Sequence, residues 1–130
     1  MMTKTDAIEL LKRMISIPSF SREEGNVADL MVETLKNHGY IASRKGNNVW
    51  AKSKDWDSGK PVILLDAHID TVKPNGNWDT DPFTPVVKDG KLFGLGSNDT
   101  GGSVVSMLTA FLHLTAKPQP YNLIWLASAE

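Results

Sequence analysis

Val62-Ile63-Leu64-Leu65-Asp66-Ala67-His68-Ile69-Asp70 is the stretch that decides the fold. Its apolar opening is too short for a helix of its own and begins with two β-branched residues, so it reads as a buried strand. Side chains alternate along extended backbone, which puts His68 and Asp70 on one face. A buried strand that ends in two ionisable residues on one side is where open α/β sheets keep their chemistry. The next informative stretch is Gly94-Leu95-Gly96-Ser97-Asn98-Asp99-Thr100-Gly101-Gly102, a glycine-flanked loop around one central carboxylate.

On the N-terminal side, Ile8, Leu11 and Ile15, widened by Leu10 and Met14, set a helical period over 6–16. Ile17-Pro18 ends it, because proline disfavours helical geometry in the residue before it. Ser21-Arg22-Glu23-Glu24 has the pattern of a capping box and predicts a second helix with Val27, Leu30, Met31 and Leu35 as its core stripe. His38-Gly39 closes that helix, with His38 a solvated cation near its C-terminus. Residues 40–44 and 48–53 read as strands joined near Gly46-Asn47.

On the C-terminal side, residues 71–85 form a proline-rich irregular stretch, too long for an idle connector. Residues 86–93 read as a hairpin turning on Asp89-Gly90. Val104, Val105, Met107, Leu108, Phe111 and Leu112 mark an apolar helix that packs on a sheet over a wide arc and is closed by Lys117-Pro118. A buried strand, Asn122 to Glu130, ends the chain. Strands alternating with helices predict an α/β fold, with a mixed, mostly parallel sheet and helices on both faces.

The totals exclude several classes. The 130 residues suit one domain with one core, and a net charge of −1 without a basic stripe gives no electrostatic case for nucleic acid. The absence of cysteine removes disulfides, thiolate zinc sites and a cysteine nucleophile together. No apolar run is long enough to span a bilayer, and no apolar signal core follows the N-terminus, so no membrane role and a cytoplasmic location are expected. A chain stopping on a core strand reads as a fragment, residues 1–130, of a longer protein.

Which residues carry chemistry? A neutral imidazole such as His68 is the commonest zinc ligand, and its second nitrogen needs an acceptor, which Asp70 is placed to supply. Without more, the two also fit a surface pair at a strand end. Asp99, among glycines and just before a helix, adds a carboxylate. A phosphate cradle is its rival, but the loop lacks the third glycine of the dinucleotide fingerprint and the Lys-Ser/Thr of a P-loop, and Asp99 would repel phosphate. A histidine and a carboxylate on neighbouring strand ends suit a divalent cation better. The remaining polar candidates read as supports. His113 is an edge or surface histidine, Asp66 a strand-end carboxylate bonded to backbone, and Asp79 and Asp81 are solvated. Trp78 and Phe83 flank a substrate-side loop or pack in the core, and Ser97 and Asn98 steady the Asp99 loop or donate to its carboxylate.

Taken in order, His68-Ile69-Asp70-Thr71-Val72, Trp78, Asp81-Pro82-Phe83 and the run from Asp89 through Gly94-Leu95-Gly96-Ser97-Asn98-Asp99 resemble the di-zinc aminoacylase/acetylornithine deacetylase family. That family also holds succinyl-diaminopimelate desuccinylase, carboxypeptidase G and several dipeptidases. The Gly-Ser-Asn-Asp form is most similar to acetylornithine deacetylases. The resemblance implies that His68 binds one zinc, that Asp70 is the catalytic-site aspartate holding His68, and that Asp99 bridges two zincs, with cobalt as a possible substitute metal. It also implies a cis peptide at Asp99–Thr100. Gly101 stands where many relatives have lysine. Glu130 aligns with the acid preceding the family's glutamate pair, or with the general base if the register slips by one. The implied substrate is a small N-acyl amino acid, and the implied full-length protein is a homodimer. The general base and the other zinc ligands lie downstream in the family, so the chain alone is expected to be inactive. Two alternatives stay open: a di- or tripeptidase of the same family, and a non-catalytic α/β domain that binds a small anion or a partner through 71–85.

Overall fold

The computed structural model describes residues 1–130. Helix α1 (Lys4–Ile15) starts with a capping box that the sequence pattern did not bring to notice. Asp6 N–H donates to the Thr3 hydroxyl, and Thr3 N–H donates to the Asp6 carboxylate, 2.9 Å away. The second of these bonds holds the Asp6 carboxyl below its ordinary value. Helix α2 (Gly25–Asn37) buries Val27, Leu30, Met31 and Leu35 as expected. Its predicted capping box does not form: Glu24 takes the cap position without a side-chain cap bond, and the Ser21 hydroxyl is engaged elsewhere. At the other end Gly39 takes φ +82°, and His38 is half-buried, its Nδ1 2.9 Å from the Thr34 carbonyl.

Strands β1 (Ser43–Lys45) and β2 (Asn48–Lys52) form the first hairpin. After β3 (Val62–His68) comes a separate two-stranded ribbon, β4 (Val86–Lys88) and β5 (Lys91–Phe93), and then α3 (Gly102–Leu114) and β6 (Asn122–Ser128). The ribbon turns on Asp89 and Gly90, both left-handed at φ 53° and 73°, as a tight type I′ hairpin requires. The main sheet has the order β1-β2-β6-β3. It is mixed, as predicted, but the expectation of a mostly parallel sheet is corrected. Only β3–β6 is parallel, joined by the α3 crossover, whereas β1–β2 and β2–β6 are antiparallel.

The expected placement of helices on both faces is also corrected. Val49, Ala51, Ala67, Leu123, Trp125 and Ala127 share one side of the sheet and join all three helices in a single core of 23 buried residues. The opposite side carries Trp50, Val62, Leu64, Asp66, Ile124 and Leu126, none of them buried. This also revises the status of β3. Its apolar run reads as an interior strand, yet β3 is the sheet edge, and Val62, Ile63 and Leu64 are 51%, 44% and 53% exposed. The interior strand is β6, whose Trp125 is fully buried and donates its indole N–H to the Val104 carbonyl.

Candidate metal centre

The C-terminal end of β3 is held from two sides. Ile69 N–H donates to the Ser128 carbonyl at 2.8 Å and carries the β6 pairing one residue further. Beyond it, the connection between α1 and α2 runs parallel to residues 69–71. Thr71 N–H donates to Ser19 O at 2.7 Å, Ser21 N–H to Thr71 O at 3.2 Å, and the buried Ser19 hydroxyl to Ile69 O at 2.8 Å. Asp70 sits inside this clamp.

The His68 ring spans two acceptors. Its Nδ1 is 2.9 Å from the Asp70 carbonyl and 3.2 Å from Asp70 Oδ1, so the main-chain oxygen is the nearer partner and the carboxylate the second. Its Nε2 is 3.0 Å from Asp99 Oδ1. Asp70 is largely covered at 16% side-chain exposure, while Asp99 is open to solvent at 83%. A narrow cleft beside His68 and Asp70 is lined by Ile17, Phe83, Leu95 and Thr100. Phe83 therefore belongs to the site, packed edge-on against Phe20 at 5.9 Å. Trp78 does not; it lines a different groove with Val86, Lys88 and Phe93 of the ribbon.

Asp99 is presented by a wide turn, Ser97–Gly101, in which Asp99 and Thr100 depart from helical dihedrals. The peptide between them is cis, as the resemblance implies. Gly96 takes φ +82° and its carbonyl accepts Gly101 N–H at 2.8 Å, closing the turn. A Cβ on Gly101 would lie 2.7 Å from Gly96 O and 2.7 Å from Leu11 Cδ1. The glycines thus let the loop pass close to α1, where the sequence alone suggested close approach to a ligand. Gly101→Ala is expected to lower the free energy of unfolding by about 1–3 kcal/mol, since one of the two obstacles is backbone that cannot rotate aside. Urea denaturation of the variant measures this, and a loss under about 0.5 kcal/mol would show that the turn has slack.

Do these residues fit a metal ion? Two donors each about 2.0–2.1 Å from one tetrahedral zinc stand roughly 3.3 Å apart. The observed 3.0 Å between His68 Nε2 and Asp99 Oδ1 is close to that edge. With Nδ1 donating to Asp70, Nε2 would have its lone pair available to an ion shared with Asp99, and one imidazole with one carboxylate is a zinc-compatible set. The fit is partial, because no cluster of three or more His, Cys, Asp or Glu side chains suited to a metal is present. Glu130 does not complete it: its N–H donates to Glu24 Oε2 at 2.7 Å and its side chain is exposed.

The other polar candidates lie away from the pair. His113 is exposed on α3, Asp66 is exposed on the bare side of the sheet, and Asp79 and Asp81 are exposed in the 71–85 stretch. Asp81 still has a local task, accepting Phe83 N–H at 2.9 Å. Ser97 serves the turn through its carbonyl, which accepts Gly102 N–H. Two residues that support the site were not singled out for it from sequence: Ser19 and Ser21. Their only signal, the Ser21–Glu24 spacing, also describes a helix start.

A model of peptidase family M20/M25/M40 matches residues 64–130. Succinyl-diaminopimelate desuccinylase of Anaplasma marginale is 31% identical over 118 residues, covering 87% of this chain and 31% of that protein. The enzyme of the same name from Dechloromonas aromatica is 32% identical over 131 residues, covering 95% and 34%. The chain thus spans about a third of the length of the curated relatives it matches. Among solved structures, the metallo-carboxypeptidase Sso-CP2 of Sulfolobus solfataricus superposes with a TM-score of 0.81 at 24% identity, over 99% of this chain and 31% of that one. Human carnosine dipeptidase 1 gives 0.79 at 21%, over 95% and 31%. The YXEP protein of Bacillus subtilis, described as a dinuclear metal binding peptidase, gives 0.67 at 18%, over 96% and 34%. At these identities the structural likenesses establish the fold.

Proposed function

Because the chain belongs to peptidase family M20/M25/M40, we propose that it carries part of the metal site of a zinc-dependent amidohydrolase acting on N-acyl amino acids. The observation that carries this is the 3.0 Å approach of His68 Nε2 to Asp99 Oδ1, made by residues 31 positions apart. In this reading His68 and Asp99 would hold the metal, and Asp70, as acceptor of Nδ1–H, would leave His68 Nε2 free to ligate. When bound, zinc supplies Lewis acidity that polarises an amide carbonyl and acidifies water. The chain's own share is positional. The β3 end and the Asp99 turn bring two donors into register, and Ile17, Phe83 and Leu95 make one wall of the adjoining cleft apolar. Relatives named desuccinylases support the N-acyl class. Within it the Gly96-Ser97-Asn98-Asp99 run favours an acetylornithine-like substrate.

Zinc titration followed by calorimetry tests the site. His68→Ala and Asp99→Ala are each expected to abolish the zinc isotherm of the unaltered chain while leaving its circular dichroism unchanged. An isotherm that survives both substitutions would favour a non-catalytic domain whose business lies in the 71–85 stretch.

A further inference from the structure

Ser21 stands two hydrogen bonds behind the candidate ligand His68, with Asp70 between them. Its hydroxyl donates to Asp70 Oδ2 at 2.7 Å, while Asp70 Oδ1 faces His68 Nδ1 at 3.2 Å. The two oxygens of one carboxylate are therefore divided between a serine of the α1–α2 connection and the histidine of β3. We propose that Ser21 is a positioning residue of the metal site: by fixing the rotation of the Asp70 carboxylate it steadies the plane of the His68 ring, and so the direction of Nε2. The proposal rests on the metal reading of His68 and Asp99 given above.

Several observations agree that the hydroxyl is placed rather than free to wander. Ser21 N–H is bonded to Thr71 O, and two residues earlier Ser19 accepts Thr71 N–H and donates its own hydroxyl to Ile69 O. The connection is stitched to residues 69–71 on both sides of Ser21. Immediately after it, Arg22 takes φ 72°, a left-handed conformation that costs a non-glycine residue free energy and persists only where surrounding contacts impose it. Glu23 N–H closes this corner on Phe20 O at 2.7 Å. A helix cap would have turned the Ser21 side chain toward α2; it reaches the site side instead.

Without the hydroxyl, Asp70 Oδ2 loses its donor and the carboxylate can swing about its last bond. The Asp70 carbonyl still accepts from His68 Nδ1, so the ring is loosened rather than released. Partners bonded directly to a metal-ligating histidine typically change metal affinity by about 10- to 100-fold, and Ser21, one bond further out, is expected at the lower end.

The test compares the unaltered chain with Ser21→Ala and Ser21→Thr, using zinc ion alone as the probe. Ser21→Ala is expected to weaken zinc binding about 10-fold, and Ser21→Thr, which keeps the hydroxyl, to stay within about 3-fold. In the metal-free chain, the His68 ring resonances are expected to be sharp for the unaltered and Thr forms and broadened for Ala, because the ring is loosened. Unchanged affinity and spectra in Ser21→Ala would overturn the proposal. So would equal losses in the Ala and Thr variants with a common drop in thermal midpoint, which would make Ser21 a folding residue alone. If the unaltered chain takes up no zinc through His68, the metal reading fails, and the metal-free spectra still decide whether Ser21 sets the ring.

Discussion

Trp125→Ala is expected to lower the free energy of unfolding by about 3–5 kcal/mol, the largest stability loss of any single replacement considered in this chain. Trp125 is fully buried at the middle of β6, paired across to Ala51 on one side and Leu65 on the other. Its indole N–H satisfies the Val104 carbonyl, so removal leaves both a cavity and a weakened tie between sheet and α3. A typical domain has about 5–15 kcal/mol of stability, and this one has a helical layer over only one side of its sheet. The alanine variant should therefore keep only a fraction of its stability, with a urea midpoint far below that of the unaltered chain. Leu64→Ala on the same sheet, at a site already 53% exposed, should cost under about 1 kcal/mol. A cooperative Trp125→Ala protein with a midpoint near that of the unaltered chain would mean that the core closes over the gap.

Hydrolysis of N-acetylornithine by the 130-residue chain with added zinc is expected to stay at the rate of the zinc-containing buffer. Enzymes commonly turn over about 1–1000 times per second and exceed the uncatalysed reaction by at least roughly a million-fold, so the shortfall is large. Catalytic zinc sites use three protein ligands and one open position. Here two donors meet, no cluster of three suited to a metal is present, and the Glu130 carboxylate does not join them as a base. Amine release over several hours, with His68→Ala as control, measures the rate. Turnover above about 1 per second that His68→Ala abolishes would show that two donors suffice.

The sequence made the ends of the site legible and its supports obscure. His68 and Asp99 could be paired because a strand end and a glycine-bordered turn each announce themselves locally, and the ordered resemblance joined them. The capping-box spacing at Ser21 and Glu24 was misleading for a physical reason. A serine hydroxyl donates or accepts according to what the fold brings near, and what came near Ser21 was Asp70, 49 residues away. The glycines around Asp99 pointed to close approach but not to α1 as the neighbour, since that contact is tertiary. In the same way, the apolar run of β3 could not tell an edge from an interior. That distinction depends on β6 returning between β2 and β3, a pairing encoded in no single segment.

The bare side of β3 and its free edge have a consequence for the chain in solution. Residues 62–64 lie on the outer edge of the sheet with half-exposed valine, isoleucine and leucine, an arrangement that natural sheets usually blunt with charge or proline. Any extended peptide able to lie along that hem gains hydrogen bonds and dry contact together. Association of intact, folded molecules hem to hem is therefore the expected behaviour of concentrated samples, read as light scattering that rises with concentration while the melting temperature stays fixed.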